Sequence, residues 1–351
     1  MTIDRVLTAI DRAVTTDGRL HDVGPVVVFG DYCLDAYLHI DATRDEPSLE
    51  TGLTAYQVHG NSLHAGAAGT VVNNLRSLGV QVRCVGVVGD DGNGFELARE
   101  LDRTGADTGL MVHRTDIATN AYIKPMRRDN AEAVYVEANR LDIKNFFPAP
   151  RELEDQLIAN LESALPGAAC VVVCEQYPEN QCSAVTARIR STLADLAGRN
   201  PNRFYYVDSR GSAERYRGVI VKCNQFELPP GDGDETVADR ARRLLAVNGR
   251  AVVVTLGPDG ACVVEPDATT YVPAFHVDGP IDIVGAGDAT NAGIALGLTL
   301  GLSLPDATLL GACVSSITIQ QLGTTGTATL GQVRARLAAN ATLAAPSRAA
   351  S

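Results

Sequence analysis

The feature that most constrains this chain is a recurring pair: a short run of buried-type residues, then a segment with helical periodicity. "QVRCVGVVGDDGNGFELARELDRTGAD" reads strand, turn, helix, and so does "AACVVVCEQYPENQCSAVTARIRSTLADLAG". "RFYYVDSRG", "GVIVKCNQFE" with the helix "DETVADRARRLLAVNG", and "RAVVVTLG" continue the rhythm. Near-continuous Val/Ile runs between helices belong to strands covered on both faces. That predicts a mostly parallel sheet in a layered α/β domain, with right-handed crossovers. The 351 residues suffice for one such domain with an accessory piece, and we read 1–351 as a single domain.

Two segments interrupt the alternation. One spans about 36–64, with short alternating strands around "AYLHI" and "TAYQVH". The other, about 112–140, contains "TNAYIKPMRRDNAEAVYVEANR", two period-2 runs around a polar turn, a hairpin signal. Both follow core strands on the same side, so they predict a small β-sheet lid over the carboxyl ends of the main strands, where open α/β sheets bind ligands. The opening "MTIDRVLTAIDRAV" is an amphipathic helix with Val6, Ile10 and Val14 on one side and no secretory apolar core. No apolar run is long enough to cross a bilayer. A cytoplasmic protein is expected, with residues 345–351 a disordered tail.

A net charge of −12 argues against nucleic-acid and anionic-membrane surfaces as partners. The eight cysteines form no CxxC pair, which suits a reducing compartment. His59 and His64 could be imagined as metal ligands, but they read as polar hairpin positions. Lysine is scarce: only Lys124, Lys144 and Lys222 occur among the 30 basic residues, so a lysine kept against that bias draws interest.

The chemistry is concentrated in "IDIVGAGDAT". A loop of small residues, Gly285-Ala286-Gly287, runs into a helix and would expose backbone amides at its N-terminus, where an anion is favoured. Asp288 in the first turn fits a base that takes the proton from a hydroxyl attacking phosphorus, while the amides hold the charge on the transferring phosphoryl group. A plain helix cap is the other reading of the same residue. "VKCNQFE" sets Asn224 and Glu227 three apart; if a helical turn starts there they could position Mg²⁺ through water, or they are ordinary helix-start residues. "VTLGPDG" offers a Gly257/Gly260 turn that could carry a nucleotide's phosphates or could be only a hairpin. "GDYCLD" alternates Asp31, Cys33 and Asp35; if extended, all three point one way, and the acids could accept from sugar hydroxyls or form a solvated strand end. "HAGAAGTVVNNLRSLG" is a second small-residue loop before a helix. No Walker loop and no correctly spaced G-x-G-x-x-G is present.

With these motifs in order, the chain resembles the ribokinase-like (PfkB) carbohydrate kinases over about 24–330. "DIVGAGD" resembles that family's C-terminal signature, while "GDYCLD" and "VDSRG…YRG…KCNQFE" resemble its heptose-phosphate kinase (RfaE-like) branch. That branch phosphorylates the anomeric hydroxyl of a sugar phosphate. Some members carry a nucleotidyltransferase after the kinase, which this chain is expected to lack.

The resemblance implies a three-layer α/β/α sandwich with a β-sheet lid, and transfer of the γ-phosphate of ATP, with Mg²⁺, to a sugar or sugar phosphate. Asp288 would be the base and Gly285, Ala286 and Gly287 the anion hole. Asp35 would bind sugar hydroxyls, with Gly66 and Asn74 nearby. Asn224 and Glu227 would organise Mg²⁺ and phosphates, and Thr255, Gly257, Gly260 and Gly323 would line the ATP site. Asp282 would hold a monovalent cation, K⁺, as in some relatives.

The front loop departs from the family's "GGxxxN": Ala67 stands at the second glycine and Thr70 at the asparagine, so the sugar's identity is not carried across. Ile283 stands where relatives often have Thr. The intact glycines and acid argue against a dead kinase. Lys124, Arg127, Arg128 and Arg140 fall on or near the lid hairpin, and Lys124 or Arg140 is expected to grip a substrate phosphate. A nucleoside kinase stacking a base on Tyr37, Tyr56, Tyr122 or Tyr135, or a non-catalytic sugar-binding protein, are the competing readings. A homodimer paired edge to edge through the lid would hide exposed strand edges.

Overall fold

Val26–Gly30, Cys170–Glu175 and Ala251–Thr255 form central strands with almost every residue buried. The computed structural model describes residues 2–16, 18–130, 134–177, 182–231 and 234–343; the tail expected over 345–351 lies outside them. In spatial order, strands 268–272, 261–265, 251–255, 220–224, 204–209, 170–175, 26–30, 82–89 and 107–114 make one nine-stranded sheet. All neighbours from 251–255 to 107–114 pair in parallel, and the two strands at the other edge are antiparallel. Helices cover both faces, as parallel strands require. On one face Val26, Val28, Cys170 and Val253 pack against helices including 68–77, 286–299 and 304–318. On the other, Val27, Val171, Val207 and Val252 pack against helices 151–164, 187–199 and 237–248. The amphipathic N-terminal helix Ile3–Ala13 buries Ile3, Val6 and Ile10 on the first face, and stops before Val14, which pairs with Leu20 in a β-bridge.

A second sheet orders strands 141–143, 121–128, 32–41 and 58–67, with 136–137 pairing on 121–128 as the return arm of the hairpin. Strand 107–114 belongs to the main sheet, so the lid's share of that segment begins after it. The chain enters the lid without a loop. Strand Val26–Gly30 ends at a glycine with φ 134°, one residue follows, and strand Tyr32–Asp41 begins. A side chain at Gly30 would collide with the Cys174 carbonyl. The return is as tight: strand Val58–Ala67 passes directly into helix Ala68–Ser77, with Ala67 at φ 53°, ψ −122°. The two joints touch, the Ala68 amide donating to the Asp31 carbonyl at 2.9 Å.

The small-and-apolar pattern after residue 288 is explained by helix packing. A Cβ on Gly293 would lie 2.6 Å from the Gly311 Cα, and one on Gly297 2.7 Å from the Ala307 Cα. Helices 286–299 and 304–318 therefore touch backbone to backbone. Among the described residues no helix is long and apolar enough to cross a membrane. None of the eight cysteines is in a disulfide, and seven of them are buried, Cys182 being the exception.

Candidate active site

The parallel strands end on one side of the sheet, and the lid stands over that side. Helix Ala286–Thr299 starts there from Gly285 at φ 78°, a conformation that costs glycine little. No side chain caps this helix. The Ala286 amide donates to the Ile283 carbonyl at 3.1 Å, so of the three residues expected to hold an anion it has its N–H already engaged. The Gly287 and Asp288 amides have no intrahelical acceptor, as at any helix start. Asp288 projects from the first turn, partly buried, and none of the hydrogen bonds among the described residues uses its carboxylate. Burial pushes its carboxyl up to about 7, with Asp208 adding to the rise and Lys222 and Arg210 opposing it. A carboxyl poised near neutrality beside open amides can accept a proton at working pH.

Below the first turn lies a buried polar chain absent from the sequence-based set. The Tyr206 hydroxyl donates to Asn291 Oδ1 (3.0 Å), Asn291 Nδ2 to Asp208 Oδ2 (2.6 Å), and Lys222 Nζ to the same oxygen (3.0 Å). Lysine scarcity was the signal that pointed to Lys222.

On the lid, Lys124 Nζ sits 3.1 Å from Asp35 Oδ1 and donates to the Tyr37 hydroxyl at 3.0 Å. Asp35 and Cys33 share one face, as alternation requires, and a side chain at Gly66 would collide with Asp35 Oδ2. Gly66 thus clears room for that acid.

Asp31 does not join them. Its Oδ2 accepts from the Gln176 and Tyr177 amides (2.7 and 3.2 Å) and the Ser183 hydroxyl (2.8 Å), and its Oδ1 from the Ala184 amide (2.8 Å). It anchors residues 176–177 and 183–184. Asn74 is likewise turned inward, bonding the Thr70 and Gly326 carbonyls (3.1 and 3.3 Å). Arg140 is engaged with Asp142 at 2.6 and 2.9 Å and lies over the Tyr122 ring, while Lys124 is paired with Asp35. His59 bonds Tyr135 at 2.7 Å and His64 packs on Tyr37; among the described residues no group of three or more His, Cys, Asp or Glu could hold a metal.

On the nucleotide side, Asn224 and Thr255 are register partners at adjacent strand ends. Asn224 Oδ1 accepts from the Phe226 and Glu227 amides (2.8 and 3.0 Å), and Glu227 Oε2 accepts from the Asn224 amide (2.8 Å). Gly257 and Gly260 shape the tight turn of a hairpin, at φ 62° and 89°. Asp282 clasps two loops, accepting from the Val284 amide on Oδ1 and the Gly323 amide on Oδ2, each at 3.0 Å.

Hard cations take oxygen ligands. Glu227 keeps Oε1 outside its turn and fits a water-mediated Mg²⁺ contact. Asp282, with an amide on each oxygen, offers K⁺ a more crowded carboxylate.

The pfkB family carbohydrate kinase model matches residues 26–329. Curated relatives include a "Bifunctional protein HldE" of Halorhodospira halophila, 31% identical over 307 residues (85% of this chain, 60% of the relative), and one of Trichlorobacter lovleyi, 29% identical over 314 residues (85% and 60%). The chain therefore spans about 60% of the length of the curated relatives it matches. Among solved structures, ribokinase of Arabidopsis thaliana complexed with ribose and ATP aligns with TM-score 0.66 at 16% identity (90% of this chain, 99% of that one). Phosphofructokinase-2 of Escherichia coli in complex with potassium aligns with TM-score 0.68 at 18% identity (90% and 99%). These likenesses show the fold, a ribokinase-like α/β sandwich with its lid.

Proposed function

Because this chain belongs to the pfkB family of carbohydrate kinases, and so is a phosphotransferase acting on a sugar hydroxyl, we propose that it phosphorylates a sugar phosphate of the heptose-phosphate type from ATP, with Asp288 as the base. The observation that carries this is the Asp288 carboxyl, free of partners and raised to about 7, at the start of an uncapped helix. The acceptor hydroxyl would lie between Asp35 on the lid and Asp288 on the floor. As its oxygen bonds to the γ-phosphorus, its proton passes to Asp288 and the β–γ bridge oxygen leaves with ADP. The open amides of Gly287 and Asp288 would hold charge on the transferring group.

Mg²⁺ organised through Glu227 would supply neutralisation of the phosphate oxygens. Asn224, by holding the turn in which Glu227 sits, and Asp282, by holding Gly323 against the anion loop, would fix the nucleotide side. The sugar class is supported by the HldE relatives and by the polar Asp35–Lys124 platform, which suits hydroxyls better than a stacked base. Pairing of two chains along the lid edge at strand 58–67 belongs to the same proposal.

ADP release measured across plain sugars, sugar phosphates and nucleosides tests the reading. Turnover is expected with a sugar phosphate; a preference for nucleosides, or no turnover over the whole panel, would overturn it.

A further inference from the structure

Lys222 lies in the middle of the sheet's strand Ile220–Asn224, 4% exposed, where a charged side chain costs folding free energy unless it is paired. Its partner is Asp208, 3.0 Å away on the neighbouring strand, and Asp208 is itself fixed by Asn291 from helix 286–299. The lysine's other neighbour is the anion loop: a Cβ placed on Gly287 would come within 3.2 Å of Lys222 Nζ. The ammonium therefore lies beside the residue that precedes Asp288, where a larger side chain would crowd it.

We propose that Lys222 is a positioning residue for the base: clamped by Asp208 against Gly287, its fixed positive charge keeps the neighbouring Asp288 carboxylate ready to take a proton at neutral pH. Asp208 and Asn291 hold the lysine in place. This rests on the reading of Asp288 as the base and adds a second group to it.

Four charged side chains act most strongly on Asp288. Asp208 and Lys222 approach from adjacent strands, Arg210 from the end of the Asp208 strand, and Asp35 from the lid. Cys33 and Cys174 also face it, but burial pushes both thiols well up, so they are neutral. Lys222 and Arg210 thus oppose Asp208 and Asp35, and of the two cations only Lys222 is buried and fixed. Deleting Lys222 and deleting Asp208 should then act on Asp288 in opposite directions, which a merely structural pair would not do.

The experiment is the pH dependence of kcat and kcat/KM for the whole chain and for Lys222→Met, Asp208→Asn and the double variant, each checked for folding by far-UV circular dichroism. The acidic limb of the wild type is expected near 7. In Lys222→Met it should move up by about one pH unit, the scale for losing a nearby opposite charge. In Asp208→Asn it should move down, and in the double variant fall between the two. Should Lys222→Met fail to fold, Asp208→Asn decides alone. Limbs that stay put in folded variants, or that move in the same direction, overturn the proposal. Undiminished turnover in Asp288→Asn would instead overturn the base reading, and this proposal with it.

Discussion

Asp35 and Lys124 stand 3.1 Å apart on adjacent lid strands, each side chain 9% exposed, with the Tyr37 hydroxyl 3.0 Å from the ammonium. Burial lowers the lysine's affinity for its proton, but Asp35 and Tyr37 more than restore it, and the group sits above its ordinary value. The pair forms a polar platform inside the lid, not a surface decoration.

Breaking it should show in both folding and substrate affinity. Lys124→Ala leaves the Asp35 carboxylate buried and unpaired, a loss on the order of 3 kcal/mol. A lowered Tm and a raised KM for the sugar, with KM for ATP little changed, are the expected results. An unchanged sugar KM would remove Asp35 from the substrate site.

Asp288→Asn should cut turnover by about 10²–10⁴-fold while leaving ATP affinity near normal, as measured by ADP release and calorimetric titration. It should also stabilise. The folded-state value of about 7 lies above the ordinary 3.8, so the fold favours the protonated acid. Its contribution to stability is present below pH 4 and is lost as pH rises through 7. At pH 8 the neutral amide should therefore raise Tm by a few degrees, and at pH 4 by nothing measurable. A variant less stable than the wild type at pH 8 would contradict the buried-acid account.

Asp282→Ala should free the Gly323 loop from the anion loop. KM for ATP is expected to rise about tenfold, the scale of losing two charge-assisted hydrogen bonds, with a smaller effect on KM for the sugar. Equal effects on both substrates would place the loop elsewhere in the cycle.

Ala67→Gly should raise Tm. At φ 53°, ψ −122° the alanine holds a backbone conformation that glycine adopts freely, at a cost on the order of 1 kcal/mol. A neutral or lower Tm in thermal unfolding would show that the strain is absent or that unfolded-state entropy offsets it.

Much of this was legible because it depends on local pattern. Val/Ile runs such as "CVVVC" announce a doubly covered strand, and "GAGD" announces open amides followed by an acid. Alternation correctly put Cys33 and Asp35 on one face, and it failed for Asp31 at the joint before the strand. There the amides of Gln176 and Ala184, far along the sequence, occupy both oxygens. Asn74 was expected near the substrate, and one partner of its amide, the Gly326 carbonyl, is 252 residues away and so out of reach of local pattern. Lys222 and Asp208 lie 14 residues apart on separate strands, and nothing local links them. Only their neighbouring register shows them as a pair, Lys222 opposite Asp208. Composition gave the better hint, since Lys124 and Lys222 flank the cleft and Lys144 lies over the Tyr122 and Tyr177 rings, 5.9 and 5.8 Å from their centroids.

The absence of slack at Gly30 and Ala67 bears on where the lid's acid is held. The chain's first entry into the upper sheet and its return both occur at positive φ, side by side and bonded through the Ala68 amide. A second excursion, leaving the main sheet after residue 114 and returning before residue 151, adds strands 121–128 and 141–143 to the same layer. Asp35 and Gly66 lie within a few residues of the first pair of joints, so their placement is dictated by rigid backbone at the rim of the cleft, while Tyr56 belongs to the far end of the loop between the two strands.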